Sequence, residues 1–367
     1  MSKQGAVLAT KKSARRVLVG ATTVGVDLGD QWSHYCILDE DGEITEEGRF
    51  RTSESGVAKR FEEMDHARVA MEAGTHSIWI SEQLKEYGHE VIVANVTELH
   101  AISRNDSKSD RTDAEKLARY ARLDPRILRP ITHRTVEQQQ ALTMIRARDV
   151  LVRLRTSVVN AARGLAKPCG HRLPASSTRS FPARCAGLLP EGLAAALEPL
   201  FEQIAHMNAQ IKLYDRAILK MATVTYPETQ ALTQALTQVH GVGPLTAVTY
   251  VLTLGSKERF ERSRDVGYYL GLRPKRSQSG DRDPQLRITK AGNEYLRRLL
   301  TECANFILGR FGKDSSLRRW GLHLAERGGR NARKKAIVAV ARKLAVLLHR
   351  LWVTEQPYVP LYEAQAA

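Results

Sequence analysis

Val24-Gly25-Val26-Asp27-Leu28 is a short apolar run interrupted by a single carboxylate. It reads as a strand, in which successive side chains point to opposite faces. A carboxylate carried on a strand is costly to bury unless it is paired or holds a cation. Outward from this run the pattern stays short and alternating. Tyr35-Cys36-Ile37-Leu38 reads as a second strand and Ile44 to Phe50 as a third, with Asp41-Gly42 between them as a tight-turn signal. A helix follows over about Val57 to Met64, then a fourth strand from Ala67 to Glu72. Another helix spans roughly Ile78 to Tyr87, ended by Gly88, and Glu90 to Ala94 is a fifth strand. This alternation predicts an α/β domain.

Asp27 is not the only acid in such a place. Glu72 closes the fourth strand just before Ala73-Gly74, and Asp110 and Asp113 lie in Lys108-Ser109-Asp110-Arg111-Thr112-Asp113-Ala114. If a helix starts near Asp110, a spacing of three puts both carboxylates on one face. Asp110 taken alone is equally an N-cap that accepts the backbone N–H near Asp113; that alternative explains neither Asp27 nor Glu72. Four hard oxygen donors on converging elements suit Mg²⁺, with Mn²⁺ as a substitute. Two such ions would clamp the attacking and leaving oxygens of a phosphoryl transfer. Asp27, Glu72, Asp110 and Asp113 are therefore the expected metal ligands and catalytic acids.

Beyond this region the chain changes character. Met144, Ala147, Leu151, Leu154, Val158, Ala161 and Leu165 recur at steps of three and four, as do Leu197, Leu200, Ile204, Met207, Ile211, Tyr214, Ile218 and Met221. Such steps line one stripe of a helix, the seam of a coiled coil or of two packed core helices. Lys167 to Pro190, rich in Pro, Gly, Ser and Arg, reads as the loop between them. The expected product is a helical hairpin at least about 25 Å long, at 1.5 Å per residue. From about Val239 the chain is helical and basic, ending in a helix over about Asn331 to Trp352 and a tail with Pro357 and Pro360. The predicted organisation is a basic flexible tail (1–18), an α/β acidic domain (19–132), a helical hairpin (133–228), a mainly helical domain (229–355) and a tail (356–367).

The 367 residues carry a formal charge of +16, with 43% hydrophobic and 26% charged residues, enough for ordinary cores. That charge points to a polyanionic partner, since Lys and Arg release counterions from a phosphate backbone. Cys36, Cys169, Cys185 and Cys303 show no zinc-site spacing and suit a reducing cytoplasm. No apolar stretch has bilayer length. Lys11, Lys12, Arg15 and Arg16 precede the weakly apolar run Val17 to Val26, which Gly20, Thr22 and Thr23 break, so it does not read as a signal peptide. No membrane partner is expected. The histidines, among them His34, His66, His89, His133 and His349, show no ligand spacing and read as surface or core residues. Trp320, Tyr268 and Tyr269 either pack in the core or stack on bases, core packing being the default.

Gly25-Val26-Asp27, Met71-Glu72-Ala73-Gly74-Thr75 and Lys108 to Ala114 resemble the motifs of the DEDD-type insertion-sequence transposases of the IS110 family and of the related Piv-type DNA invertases. A second set follows in the same order: His240-Gly241-Val242-Gly243-Pro244, Tyr269-Leu270-Gly271-Leu272-Arg273-Pro274, Ser279-Gly280, and Ile288-Thr289-Lys290-Ala291-Gly292-Asn293 with Leu296-Arg297. The resemblance spans nearly the whole chain. It implies an RNase H-like (RuvC-like) first domain, which three consecutive strands followed by helix-separated strands also suggest, then a coiled coil and a transposase domain. It further implies a catalytic serine, matched by Ser279, forming a covalent serine–phosphate intermediate. Donor and target DNA, a structured guide RNA and a homodimer or homotetramer would be the partners, in a bacterial cytoplasm at the nucleoid. Ser277, two residues away, competes for the serine assignment, and the Lys167 to Pro190 loop is longer and richer in Arg than the family pattern.

Read without the resemblance, Gly241 and Gly243 belong either to a helix-hairpin-helix turn that approaches a phosphate or to a plain helix–helix turn. Ser279 sits in a basic loop and needs a base or metal to become a nucleophile. Arg273, Lys275, Arg276, Arg282, Arg287, Lys290 and Arg297 are the expected nucleic-acid contacts around it. The rival readings are a RuvC-type endonuclease without serine chemistry, an actin-fold ATPase or sugar kinase suggested by Gly25 to Gly29, and a non-catalytic nucleic-acid-binding protein.

Overall fold

The computed structural model describes residues 22–95, 110–225, 227–279, 282–284, 286–329 and 331–361. The predicted basic tail 1–18, Lys108 and Ser109 of the third acidic motif, Gly280 beside Ser279, and the end of the C-terminal tail lie outside them. The chain divides into two compact units, Met1–Val136 and Glu137–Ala367.

The first unit is built on a five-stranded mixed sheet of order β3-β2-β1-β4-β5. Its strands are β1 (Thr23–Asp27), β2 (Trp32–Leu38), β3 (Ile44–Arg51), β4 (Arg68–Glu72) and β5 (Glu90–Ala94). β1, β2 and β3 pair antiparallel, whereas β1, β4 and β5 run parallel. Asp39 makes the β2–β3 turn by accepting the Asp41 and Glu43 N–H groups at 2.9 Å through one carboxylate oxygen. Gly42 supplies the left-handed residue there, at φ +89°. α1 (Glu54–Phe61) is capped by Ser53, whose hydroxyl accepts Gly56 N–H. α2 (Ser77–Glu86) follows β4, and Gly88 at φ +86° ends its turn into β5.

Strand alternation divides the side chains between two cores. Val24, Val26, Tyr35, Ile37, Val69 and Met71 bury against Val57 and Phe61 of α1 and Ile80 and Leu84 of α2. Ala70, Ile92, Ala94, Cys36 and Leu38, on the other face, bury against α3 (Asp110–Leu123) through Ala114, Leu117, Ala118 and Ala121. Gly25 lies on this second face. A Cβ there would stand 2.0 Å from the Ala114 carbonyl oxygen and 2.5 Å from Ala118 N. The glycine thus lets α3 lie directly on β1.

The second unit holds two long helices, α4 (Val136–Ala166) and α6 (Glu191–Lys220), joined by a segment that contains the short α5 (Phe181–Cys185). The stripe expected on α6 is the packed one, with Leu197, Ile204, Ile211, Ile218 and Met221 buried. The stripe expected on α4 is displaced. Leu142, Ile145, Asp149, Val159, Ala162 and Ala166 are buried, while Leu154 and Leu165 are about half exposed. Polar links occupy the middle of the pair: Arg148 bonds Asp215 at 2.5 Å and Arg155 bonds Asn208 at 2.7 Å.

Helices α7 (Pro227–Thr237), α8 (Pro244–Leu254), α9 (Ser263–Tyr269), α10 (Glu294–Leu308), α11 (Ser316–Glu326) and α12 (Ala332–Thr354) complete the unit. Their core gathers Val239, Tyr250, Leu254, Leu270, Leu300, Ile307, Val340, Leu344 and Leu348. The roots of the long helices pack on α8, where Leu142, Ile145 and Ile218 meet Val248 and Leu252. His349 is fully buried, its Nδ1 2.9 Å from Ser263 Oγ, and Tyr269 and Trp320 pack against the core. Tyr268 is exposed beneath the Arg273 guanidinium. Among the described residues no helix is long and apolar enough to cross a membrane.

Candidate metal centre and nucleic-acid interface

Asp27 and Glu72 are the last residues of two neighbouring parallel strands. Glu72 comes one step after the Val26–Met71 pair, so the two carboxylates end adjacent strands on the same side of the sheet. Strand alternation puts both on the α3 face, with Gly25 and Ala70. The carboxyl ends of parallel strands, where the chain order diverges to either side, are where open α/β sheets place their chemistry. Gly25 then determines what stands above them. Because α3 lies directly on β1, its first turn brings Asp110 and Asp113 over the strand ends.

Asp27 senses the other three acids. Asp27 is pushed up to about 6, first by burial and then by the charges of Asp110, Glu72 and Asp113, with His34 pulling it back. His34 is opposite Asp27 in the β1–β2 register, and its Nδ1 lies 3.6 Å from Asp110 Oδ2. Asp113 accepts from Lys116 Nζ at 3.4 Å. Arg111 turns away from the acids and pairs with Glu47 of β3, holding that carboxyl below its ordinary range.

Among the described residues, no three His, Cys, Asp or Glu side chains are drawn together into a ready-made coordination shell. The donors nonetheless fit a hard divalent cation in kind: all are carboxylate oxygens, set near a half-buried Asp27 whose charge is disfavoured first by burial and then by the neighbouring carboxylates. Of the acids read from the sequence, Asp27 and Glu72 end adjacent strands, the first turn of α3 carries Asp110 and Asp113, and Asp27 is near enough to the other three to feel their charges. Sequence reasoning missed His34, because it touches the set only through strand register.

The serine segment of the second unit has a different construction. Lys275 N–H donates to Arg287 O at 2.8 Å and Thr289 N–H to Arg273 O at 2.9 Å, so residues 273–275 and 287–289 lie side by side as an antiparallel pair. Ser279 and Arg282 exchange backbone hydrogen bonds at 3.1 Å, and Ser279 is exposed. Arg273, Lys275, Arg276, Arg282 and Arg287 are exposed along this segment.

Its base is clasped by two glycines. A Cβ on Gly271 would meet Ala291 backbone at 2.3 Å, and one on Gly292 would meet Tyr269 O at 2.0 Å; both have positive φ. Arg297 ties the clasp together, its Nη1 donating to Leu270 O at 3.0 Å and Ala291 O at 2.8 Å. That guanidinium is engaged with two backbone carbonyls. Lys290 is exposed at φ +59° beside the clasp.

Gly243 is the N-cap of α8, and Gly241, at φ +98°, lies against Ile307 and Phe306 of α10. The glycine motif is therefore the turn between α7 and α8, packed on α10.

The comparisons with known proteins agree with both halves. A DEDD-type IS110 transposase domain matches residues 24–168, and the model described as Transposase IS116/IS110/IS902 family matches residues 233–319. The transposase of insertion sequence element IS1111A from Coxiella burnetii is 27% identical over 359 residues, covering 95% of this chain and 94% of its own. The Sinorhizobium fredii chain y4rJ, itself named as a transposase, is 30% identical over 300 residues, 76% of this chain and 75% of its own. A pilin gene-inverting protein of Moraxella lacunata is 24% identical over 158 residues, 43% of this chain and 48% of its own. Both family models that match the chain are transposase models. The chain belongs to the IS110 transposase family.

Proposed function

We propose that this transposase cuts and rejoins DNA by phosphoryl transfer, with Asp27, Glu72, Asp110 and Asp113 as a magnesium site on an RNase H-like (RuvC-like) domain and Ser279 as the nucleophile. The observation that carries the reading is the convergence of the four acids on two strand ends and one helix turn, with Asp27 pushed up to about 6. One or two Mg²⁺ ions (Mn²⁺ in their place) would neutralise charge on the phosphoryl oxygens. Asp27 and Glu72 hold their positions from rigid strands. The first turn of α3 supplies Asp110 and Asp113, and His34 orients Asp110.

Ser279 Oγ would attack the phosphorus, lose its proton to a base and expel a sugar oxygen, leaving a serine–phosphate ester. Attack by a sugar hydroxyl of a second strand would release the serine and reseal the DNA. The exposed position of Ser279 among arginines supports this, since guanidiniums stabilise charge that builds on phosphate oxygens. Donor and target DNA are the substrates, and an element-encoded structured RNA would select them in the cytoplasm, at the nucleoid.

The half-exposed stripe of α4, with Leu154 and Leu165, supports assembly into a dimer or tetramer through the long helices as an intermolecular coiled coil. The deciding experiment compares Ser279→Ala, Ser277→Ala and Asp27→Asn on a donor–target substrate. Ser279→Ala is expected to abolish trapped protein–DNA adducts and strand exchange, Ser277→Ala to retain both, and Asp27→Asn to lose cleavage. Normal rejoining by Ser279→Ala would reduce the reading to a RuvC-type nuclease.

A further inference from the structure

The pairing register lays one row of side chains across the sheet face that carries the acids. Asp27 is opposite His34, and His34 is opposite Arg49. Two residues along on that face, Trp32 is opposite Arg51. Both guanidiniums lie over the Trp32 indole, each 4.6 Å from the ring centroid, and both arginines are exposed.

Packing alone explains this group poorly. Two like charges held over one ring repel each other, and each stacking contact is weak at an exposed site. The neighbouring acid on the same face of β3, Glu47, is already paired with Arg111. Among the described residues, the ion pairs that β3 forms are those of Glu46 with Arg60 and Glu47 with Arg111, so neither Arg49 nor Arg51 has a carboxylate partner. An unpaired cationic pair on a flat aromatic base lacks a polyanion.

We propose that Trp32, Arg49 and Arg51 form a clamp for the backbone of the DNA strand presented to the acidic centre. The arginines take phosphates in bidentate fashion, and the indole fixes the direction of both guanidiniums. Strands are spaced about 4.8 Å apart, so Arg49 stands about 10 Å from Asp27 along the row. A strand held there passes over His34 and reaches the carboxylates without meeting another acid of β3. The clamp rests on the phosphoryl-transfer reading of the acids, but its binding signature is separate from catalysis.

The test uses the full-length protein and fluorescence anisotropy with labelled duplex and single-stranded DNA over a KCl series. Wild type is compared with Arg49→Gln, Arg51→Gln, the double variant, Trp32→Ala, Trp32→Phe and Asp27→Asn. Each lost phosphate contact lowers the slope of log K against log salt by about 0.9 on duplex or about 0.7 on a single strand. The double variant is expected to lose about twice that slope at an unchanged melting temperature. Trp32→Phe should bind as wild type and Trp32→Ala should be weaker.

An unchanged slope in the arginine variants overturns the clamp, and the single variants keep the test open if the double variant fails to fold. A slope change seen with an RNA strand of the same sequence and not with DNA overturns the assignment to DNA. Asp27→Asn should keep the wild-type slope while losing cleavage. Undiminished cleavage by Asp27→Asn would sink the phosphoryl-transfer reading and leave the salt slope to judge the clamp.

Discussion

Gly25 and Ala114 set the distance between sheet and helix: a Cβ on Gly25 would sit 2.0 Å from the Ala114 carbonyl oxygen. That oxygen is backbone and cannot rotate away. Gly25→Val must therefore lift α3 from β1, and with it Asp110 and Asp113. Overpacking of this kind costs about 1–3 kcal/mol or more. Urea unfolding should show a loss in that range, and DNA cleavage should fall far more steeply than stability. Wild-type cleavage in Gly25→Val would mean that the helix-borne acids are not needed.

Asp27 titrates near 6 in the folded protein against 3.8 for an ordinary aspartate. Between those values the folded state binds more protons than the unfolded one, so stability falls as pH rises from about 4 to 6 and the deficit persists above. Asp27→Asn removes the charge. It is expected to be more stable than wild type at pH 7.5 by about 1 kcal/mol, once solvent screening of the half-exposed cluster is allowed for. Near pH 4 the two should match. Unfolding curves at both pH values check this, and a variant less stable than wild type at pH 7.5 would show that burial and the neighbouring charges do not disfavour the Asp27 carboxylate.

A charge disfavoured by burial and by neighbouring carboxylates makes divalent cations stabilising. Ten millimolar Mg²⁺ against a dissociation constant of about 1 mM would add about 1.4 kcal/mol. The melting temperature should rise with Mg²⁺ or Ca²⁺ at pH 7.5 in wild type, and should not respond in Asp27→Asn/Glu72→Gln. An equal rise in that double variant would place the ions elsewhere.

Arg297 binds two carbonyl oxygens of the glycine clasp below the Ser279 segment. Arg297→Ala should cost about 1.5–3 kcal/mol, the range for a hydrogen bond to a charged group. Strand exchange should drop while Mg²⁺ stabilisation of the acidic centre persists. Arg297→Lys, with a point charge in place of a fork, should rescue only partly. Loss of nucleic-acid affinity at unchanged stability would instead make Arg297 a direct contact.

Leu154 and Leu165 leave α4 half exposed in the single chain. Replacing both with Glu should shift light-scattering mass toward the monomer without lowering helix content. An unchanged mass would assign assembly to another surface.

The α/β unit was legible because its strands are short, bounded by turn residues and alternate in burial, and because β1 and β4 each end on a carboxylate. The α4 seam was not. Its packed line passes through Asp149 and Arg155, and apolar periodicity follows instead the neighbouring stripe through Leu151, Leu154 and Val158. Asp149 is affordable there because Arg298 and Arg153 pair with it. The placement of His34 beside the acids, and the grouping of Trp32, Arg49 and Arg51, are equally absent from the sequence pattern. What joins them to Asp27 is long-range register between β1, β2 and β3, which local composition does not encode.

β3 is the outermost strand of its sheet, with one flank unpaired among the described residues. A second molecule adding a strand there would meet Glu46, Glu47, Arg49 and Arg51 in close succession. Such a border discourages sheet-to-sheet fusion between copies, the first step of fibre growth. The arginines proposed to grip DNA thus also guard the chain against self-templated aggregation, so a mutation that neutralises them would tax solubility and strand handling together.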